Sequence, residues 1–368
     1  MDIVNYEHVP IKRIGKVITG KTPATSHEEY YGGQYMFISP VELHGGYRVT
    51  KSEKTITEKG LESIKTNSIE GISILVGCIG WDMGNVAMCF EKCATNQQIN
   101  AITQIDAKYN PYYIYYWLCG KKKYLFSIAS VTRTPILSKS TFEEIVIPLP
   151  IKKNQDKIAN ILLKIDQKIT LNKQINDNLE QQMHLIFENM MAKAATHKLS
   201  GEYTIAQNLT TVVTGKEDAN FSVPNGKYKF FTCSNTPLSC DEYVFDSSSI
   251  LIAGNGDFNV KHYSGKFNAY QRTYVLTPDK KYFGLLYLAS LYRINSFKSR
   301  SSGSIVKFIT KSDVENIPVF IPNDRFYLQE LNKLIYLQEQ NKLENELLVN
   351  LRDWLLPMLM NGQATISD

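Results

Sequence analysis

No stretch of this 368-residue sequence is apolar enough to cross a bilayer: the longest apolar run, Tyr112 to Cys119, falls far short of the ~20 residues that span one. The opening residues, MDIVNYEHVP, lack the basic start and apolar stretch of a secretory leader. A soluble, cytoplasmic protein without membrane contact is expected. Cysteine is scarce, and Cys78, Cys89, Cys93, Cys119, Cys233 and Cys240 never form the paired C-x2-C sets of a structural zinc site. They read as reduced, mostly buried thiols. The 6 histidines are scattered, so neither a metal site nor a catalytic set emerges.

The length suits two globular units, and a hydrophobic content of 43% can build a core in each. The net charge of +5 is unevenly spread. Residues 1 to 155 carry 18 Lys/Arg against 14 Asp/Glu, and residues 201 to 325 carry 14 against 11. The tail from 326 onwards is acidic, with 3 against 6. Basic globular segments suit a nucleic-acid partner, although charge alone lifts that reading only slightly.

An internal repeat redraws the domain map. Val17-Ile18-Thr19-Gly20-Lys21 recurs as Val212-Val213-Thr214-Gly215-Lys216, and Tyr35-Met36-Phe37-Ile38-Ser39 as Tyr228-Lys229-Phe230-Phe231-Thr232. SILVGCIG from Ser73 recurs as SILIAGNG from Ser249, Gln98 matches Gln271, and Lys139-Ser140 matches Lys311-Ser312. IVIPLP ending at Pro150 matches IPVFIP ending at Pro322. One unit is used twice. Each copy opens with short β-like runs broken by Gly, Asn, Asp and Ser turns, and closes on a proline and a long helix. Asn154 is placed to cap the first of these helices, with Asp156 in its first turn.

Both helices carry a heptad seam. It reads Ile158, Leu162, Ile165, Ile169, Asn172, Asn176, Leu179, Met183, Ile186, Met190 in the first. In the second it reads Tyr327, Leu331, Leu334, Gln338, Asn341, Asn345, Leu348, Arg352, Leu355, Leu359. Two matched seams should pair. Antiparallel pairing about a pseudo-twofold axis sets Asn172 against Asn345 and Asn176 against Asn341. The layers outward are then Ile169 with Leu348, Leu179 with Gln338, Ile165 with Arg352, Met183 with Leu334, Leu162 with Leu355 and Ile186 with Leu331. A shifted register would bury an unpaired amide, so the four asparagines should fix the alignment.

The helix KIANILLKIDQKITLNKQINDNLEQQMHLIFENM and the terminal ENELLVNLRDWLLPMLMNGQ resemble the two conserved regions of type I restriction–modification specificity subunits. The repeated V-x-T-G-K opening and the IPLP-type exit resemble that family's target recognition domains. The resemblance implies an α+β fold with two similar α/β domains separated by two long antiparallel coiled-coil helices. Residues 1–153 would be target recognition domain 1, 154–198 spacer helix 1, 199–322 target recognition domain 2 and 323–368 spacer helix 2. It implies a non-catalytic, cofactor-free subunit that reads a bipartite site in double-stranded DNA. Two methyltransferase (modification) subunits would dock on the helices, joined by restriction/translocase subunits. A helix from about 158 to 190 is roughly 50 Å long, comparable with ~15 base pairs, and would act as a ruler between half-sites.

Three segments resemble motifs of other chemistries. Gly15-Lys16-Val17-Ile18-Thr19-Gly20-Lys21-Thr22 fits G-x-x-x-x-G-K-T, but no apolar helix follows it, and the second copy has Thr210 for the first glycine and Glu217 after its lysine. Asn110-Pro111-Tyr112-Tyr113 resembles the N-P-P-Y of adenine methyltransferases without its second proline, and reads instead as a helix start at Tyr112. Asp279 and Lys280 stand in a turn-like TPDKK segment, unsuited to a nuclease carboxylate set. A self-contained methyltransferase or nuclease, or a coiled-coil adaptor, are the alternatives. For DNA contact, polar residues beside basic ones in loops give Lys21, Thr22, Asn96, Gln97, Gln98 and Arg133 in the first domain. In the second they give Lys216, Asn259, Lys261, Gln271, Arg272, Lys298 and Arg300. Lys121-Lys122-Lys123 reads as a solvated helix end.

Overall fold

A computed structural model describes residues 6–364 except 132, 257 and 301–307; of residue 131 and residues 297–300 it describes the backbone alone. No helix of the described residues is long and apolar enough to cross a membrane. The chain divides into two compact units, residues 1–171 with 345–368, and residues 172–344. Both belong to the α+β class anticipated above.

In the first unit an antiparallel sheet is ordered Lys16–Thr19, Ile99–Thr103, Ser73–Gly77, Val86–Cys89. A second is ordered Lys54–Ile56, Tyr31–Ile38, Cys93–Thr95, Ser68–Ile69, and its central pair is parallel. The second unit merges the two into one six-stranded sheet, ordered Val212–Thr214, Thr273–Leu276, Phe245–Ala253, Val260–Ala269, Tyr228–Phe231, Leu238–Cys240. Phe245–Ala253 runs unbroken where the first unit interrupts its strand at residues 70–72, and Val260–Ala269 where the first unit turns at 90–92. In each unit the first strand pairs antiparallel with the last, Glu7–Pro10 with Val146–Leu149 and Gly201–Ile205 with Pro318–Pro322.

Hydrogen bonds at matching places establish the repeat physically. Cys78 N donates to Gln98 O as Gly254 N does to Arg272 O, and Leu137 N donates to Cys78 O as Ile309 N does to Gly254 O. Gly20 N donates to Ile99 O as Gly215 N does to Thr273 O. These bonds correct one pairing: Gln97, not Gln98, stands where Gln271 does, and Gln98 corresponds to Arg272. The two stretches between the glycine strand and this turn differ in length, which hid the shift.

The long helices span Lys152–Ala195 and Arg325–Met360. The first starts earlier than expected, so Asn154 sits inside its first turn, with its N–H donating to Ile151 O, and is no cap. Gln155 ties the start instead: its Nε2 donates to Pro150 O (2.8 Å), and its Oε1 accepts from Asn110 N (2.9 Å). In the first unit Ile158, Ala159, Leu162, Leu359 and Met360 join the core beneath the aromatic helix Pro111–Cys119. In the second unit Leu179, Met183, Phe187, Met190, Tyr327, Leu331 and Leu334 join a core with the helix Phe283–Arg300. Near its end the buried stripe of the first helix drifts from Ile186, which is partly exposed, to Phe187, as 3.6 residues per turn overtakes a 3.5 repeat.

Polar contacts fix the helix pair antiparallel in both units. In the second, Asn341 Nδ2 donates to Asn176 Oδ1 (2.9 Å), the pairing expected from the seam, and Asn176 and Gln338 exchange side-chain to backbone bonds of 3.3 and 3.4 Å. Asn172 Nδ2 donates to Glu344 Oε2 (2.6 Å). In the first, Asn345 Nδ2 donates to Ile169 O (3.3 Å), and Arg352 Nη1 meets the buried Asp166 (2.8 Å), which also accepts from Tyr116 Oη (2.7 Å).

The helix Arg325–Met360 also grips the six-stranded sheet by polar bonds. Buried His262 places Nδ1 3.0 Å from Glu339 Oε1 and Nε2 2.8 Å from Gln338 Oε1, while Ser264 Oγ donates to both Glu339 oxygens. The 6 cysteines are free thiols, of which Cys78, Cys89, Cys93 and Cys240 are buried.

Two outcomes follow. With the native cysteines replaced, Asn176→Cys combined with Asn341→Cys should oxidise to a crosslink readily, while Asn172→Cys with Asn341→Cys should not; reversal of that preference on a reducing versus non-reducing gel would refute the register. Burial works to raise the Glu339 pKa, but hydrogen bonds from His262 and Ser264 hold it below the ordinary carboxylate value. A depressed carboxylate contributes stability above its ordinary pKa that is lost as pH falls through the folded value. Glu339→Gln should therefore lessen the loss of melting temperature as pH is lowered from the ordinary carboxylate range through the folded value.

Candidate nucleic-acid interface

Loops distant in sequence meet at one end of each unit, and a glycine makes the junction. A Cβ at Gly20 would lie 2.1 Å from Asn96 O, and one at Gly215 2.0 Å from Ala269 O. No larger residue permits the opening strand to approach the 95–99 turn, or its counterpart at 269–273, so closely. The V-x-T-G-K motif is thus a packing device. Lys16–Thr19 runs as a strand through the phosphate-loop lookalike, which therefore wraps no phosphate. The Asn110 side chain accepts from Tyr112 N and Tyr113 N and starts the helix at Pro111, as a cap should. Asp279 caps a short turn by accepting from Lys281 N.

In the first unit the junction gathers most of the expected residues. Thr22 Oγ1 donates to Gln97 Oε1 (2.9 Å), beside the exposed Lys21. Asn96 is spent on the turn: its Oδ1 accepts from Gln98 N (3.0 Å) and its Nδ2 donates to Gln98 Oε1 (3.0 Å). Among the described residues the Nε2 groups of Gln97 and Gln98 have no protein acceptor. Exposed Arg133 sits in the hairpin between Ser130–Val131 and Pro135–Ile136, whose Pro135 O accepts from Gly80 N (3.0 Å).

In the second unit Lys216, Gln271 and Arg272 are exposed together, with Gln271 N donating to Glu217 O (2.9 Å). Asn259 and Lys261 work inward. Asn259 Nδ2 donates to Cys233 O (2.8 Å), and Lys261 Nζ donates to Thr232 O (3.3 Å) and Ser234 O, so both secure the 232–234 loop. Burial pushes the Lys261 pKa below its ordinary value. Lys298 and Arg300 lie on the helix Phe283–Arg300, and their side chains are outside the described residues.

The pattern of the specificity family is now visible in the molecule, and the comparisons agree. The type I restriction modification DNA specificity domain matches residues 3–181 and again 210–350. The chain belongs to that family. Among type I specificity subunits it is 36% identical over 164 residues to the EcoDI subunit of Escherichia coli, covering 43% of this chain but only 37% of that relative. It is 25% identical to the MjaIX subunit of Methanocaldococcus jannaschii over 97% of this chain and 93% of the relative. The crystal structure of the type I S subunit from M. genitalium shares the fold, with a TM-score of 0.62 at 18% identity over 100% of this chain and 98% of that one.

A specificity-family interface gains residues that sequence reasoning passed over. Asn85 occupies the place of Asn259, since Asn85 O accepts from Gly77 N as Asn259 O does from Ala253 N. Its Oδ1 accepts from Lys122 Nζ (2.8 Å), which also meets Asp82 (2.6 Å), so the middle of the lysine run anchors a loop instead of ending a solvated helix. Trp81 and Val41 project beside them. The matching Asn would have been found by aligning SILVGCIGWDMGN with SILIAGNGDFN across a two-residue gap; the exposure of Trp81 has no signal in sequence. Gly20→Ala should destabilise the first unit by about 2–3 kcal/mol through forced backbone separation, read as a lowered urea midpoint. An unchanged midpoint would mean the turn yields freely.

Proposed function

We propose that this chain is the sequence-reading subunit of a type I restriction–modification enzyme, recognising a bipartite site in double-stranded DNA and doing no chemistry itself. Residues 1–153 and 199–322 act as the two target recognition domains, and 154–198 and 323–368 as the spacer helices whose length sets the gap between half-sites. The observation that carries this reading is the doubled junction: the same glycine-packed turn presents Lys21, Gln97 and Gln98 in one unit and Lys216, Gln271 and Arg272 in the other. Amide side chains can read base edges while lysines hold phosphate. Thr22, Asn96, Asn259 and Lys261 shape these loops, Arg133 adds positive charge beside the first of them, and Lys298 and Arg300 are further candidate contacts on the ground of sequence alone.

Methyltransferase subunits, two in the full assembly, are proposed to dock on the helices, with restriction/translocase subunits joining for cleavage. Exposed Leu347, Leu351 and Trp354 on the second helix, spaced four and three apart, support this by forming an apolar stripe outside the seam. No cofactor or metal is assigned to this chain, and a cytoplasmic location fits its task.

Expression with the modification subunits in methylation-free cells, followed by sequencing for methylated adenines, tests the proposal. A two-part motif with a fixed gap is expected. Lys21→Ala or Lys216→Ala should weaken all DNA sequences alike and reduce the salt dependence of binding by about one counterion each. Methylation without a motif, or ATP hydrolysis or methylation by the purified chain alone, would overturn the reading.

A further inference from the structure

Trp81 is 70% exposed on a turn that is held rigidly. Met83 N donates to Gly80 O (3.2 Å) to close the turn, and Gly80 and Gly84, at φ of 106° and 91°, bracket it in a conformation suited to glycine. Gly84 N donates to Gly77 O (2.8 Å) and Gly80 N to Pro135 O (3.0 Å), so both ends are clamped. Within the turn Lys122 Nζ (2.6 Å) offsets the charge of the Asp82 carboxylate, and His44 Nε2 stands 3.2 Å from it. Phe126 lies against one side of the indole, with ring centroids 6.2 Å apart. A large apolar ring displayed to water on a clamped turn invites a partner that covers it.

Across a cleft of about 320 Å³ stands Val41, 72% exposed, and the lining between includes Ile79, Asn85 and Gln98. Asn85 is occupied by Lys122 and Asp82. The Oε1 of Gln98 is occupied by Asn96, which leaves its Nε2 as an available donor. Two exposed cations stand on segments bonded to the cleft or to its sequence neighbours. Lys21 lies beside Thr22, which is bonded to the neighbouring Gln97, and Arg133 lies in the hairpin that clamps Gly80. A polyanion is the matching partner. In the major groove of a duplex the apolar group is the thymine 5-methyl, and the acceptor O4 stands next to it.

Resting on the specificity reading above, we propose that this cleft is the pocket through which the first domain reads one A·T pair. The thymine methyl enters between Trp81 and Val41, and Gln98 Nε2 donates to thymine O4. Trp81, Val41 and Gln98 are then specificity-determining residues, while Lys21 and Arg133 hold phosphate without preference.

The test uses the whole complex with its modification subunits and duplexes carrying the motif found by methylation sequencing. Each thymine of the first half-site is replaced in turn by uracil, which removes only the methyl. One replacement should weaken binding about fourfold, the effect of one buried methyl group. Trp81→Ala should weaken binding to the thymine duplex by a similar factor and erase the difference between thymine and uracil at that position. Gln98→Ala should let other base pairs there be methylated. Faithful reading of the second half-site reports that both variants are folded. The pocket is refuted if no uracil in the first half-site matters, or if Trp81→Ala keeps the full thymine preference. Brightening of 2-aminopurine placed beside the position would also refute it, since the indole would then be unstacking bases. A wild-type complex with no sequence preference would overturn the specificity reading itself.

Discussion

The apolar seam between the two long helices is the constraint on which both units depend, because neither unit closes its core with continuous chain. The first unit needs Ile158 and Leu162 from the start of one helix and Leu359 and Met360 from the end of the other. The second needs Leu179, Met183 and Met190 together with Tyr327, Leu331 and Leu334. Contacts between residues some 140 to 200 apart in sequence must meet loop-closure entropy before they stabilise anything. The loops at the junctions therefore rest on a scaffold completed only when the helices pair.

Burial alone would let paired helices slide, since one apolar layer resembles the next. The polar contacts remove that freedom. Asn176 with Asn341, and Asp166 with Arg352, are satisfied in one register, and leaving such groups unpaired in the interior costs about 1–3 kcal/mol for an amide and more for a charge. The same groups reach beyond the helix pair: Gln338 bonds both Asn176 and His262 of the six-stranded sheet, and Asp166 bonds both Arg352 and Tyr116 of the helix Pro111–Cys119. Shared hydrogen bonds thus tie the register of the pair to the sheet in the second unit and to the aromatic helix in the first, which a purely apolar contact could not specify.

How much of this was legible in the sequence depends on whether a residue acts through period, through chemistry or through packing. The heptad, the repeat and the helix start beside Tyr112 were legible, because spacing and side-chain type suffice to define them; that Asn110 is the cap came from the structure. The helix start was misplaced because Gln155, not the stronger-looking Asn154, makes the tying bonds, and a one-residue slip at Gln97 and Gln98 followed from aligning letters where hydrogen bonds decide. Asn259 and Lys261 look like surface readers in sequence yet serve the 232–234 loop. Trp81 is the converse: tryptophan is read as core unless a structure shows it outside.

The two copies differ where packing permits difference. Gly20 and Gly215, the antiparallel pairing of first and last strands, and the bonds around Cys78 and Gly254 are held in common, and the two glycines are sterically forced. Between them the tips diverge: 73–85 carries two more residues than 249–259, and those residues build the turn that displays Trp81. Asn85 is capped by a lysine, whereas the Oδ1 of Asn259 is buried with no donor among the described residues. A buried frame that tolerates little change, carrying tips that tolerate much, is how one fold used twice can present two different surfaces. Selection on a tip need not disturb the seam, because no tip residue named here lies in either helix.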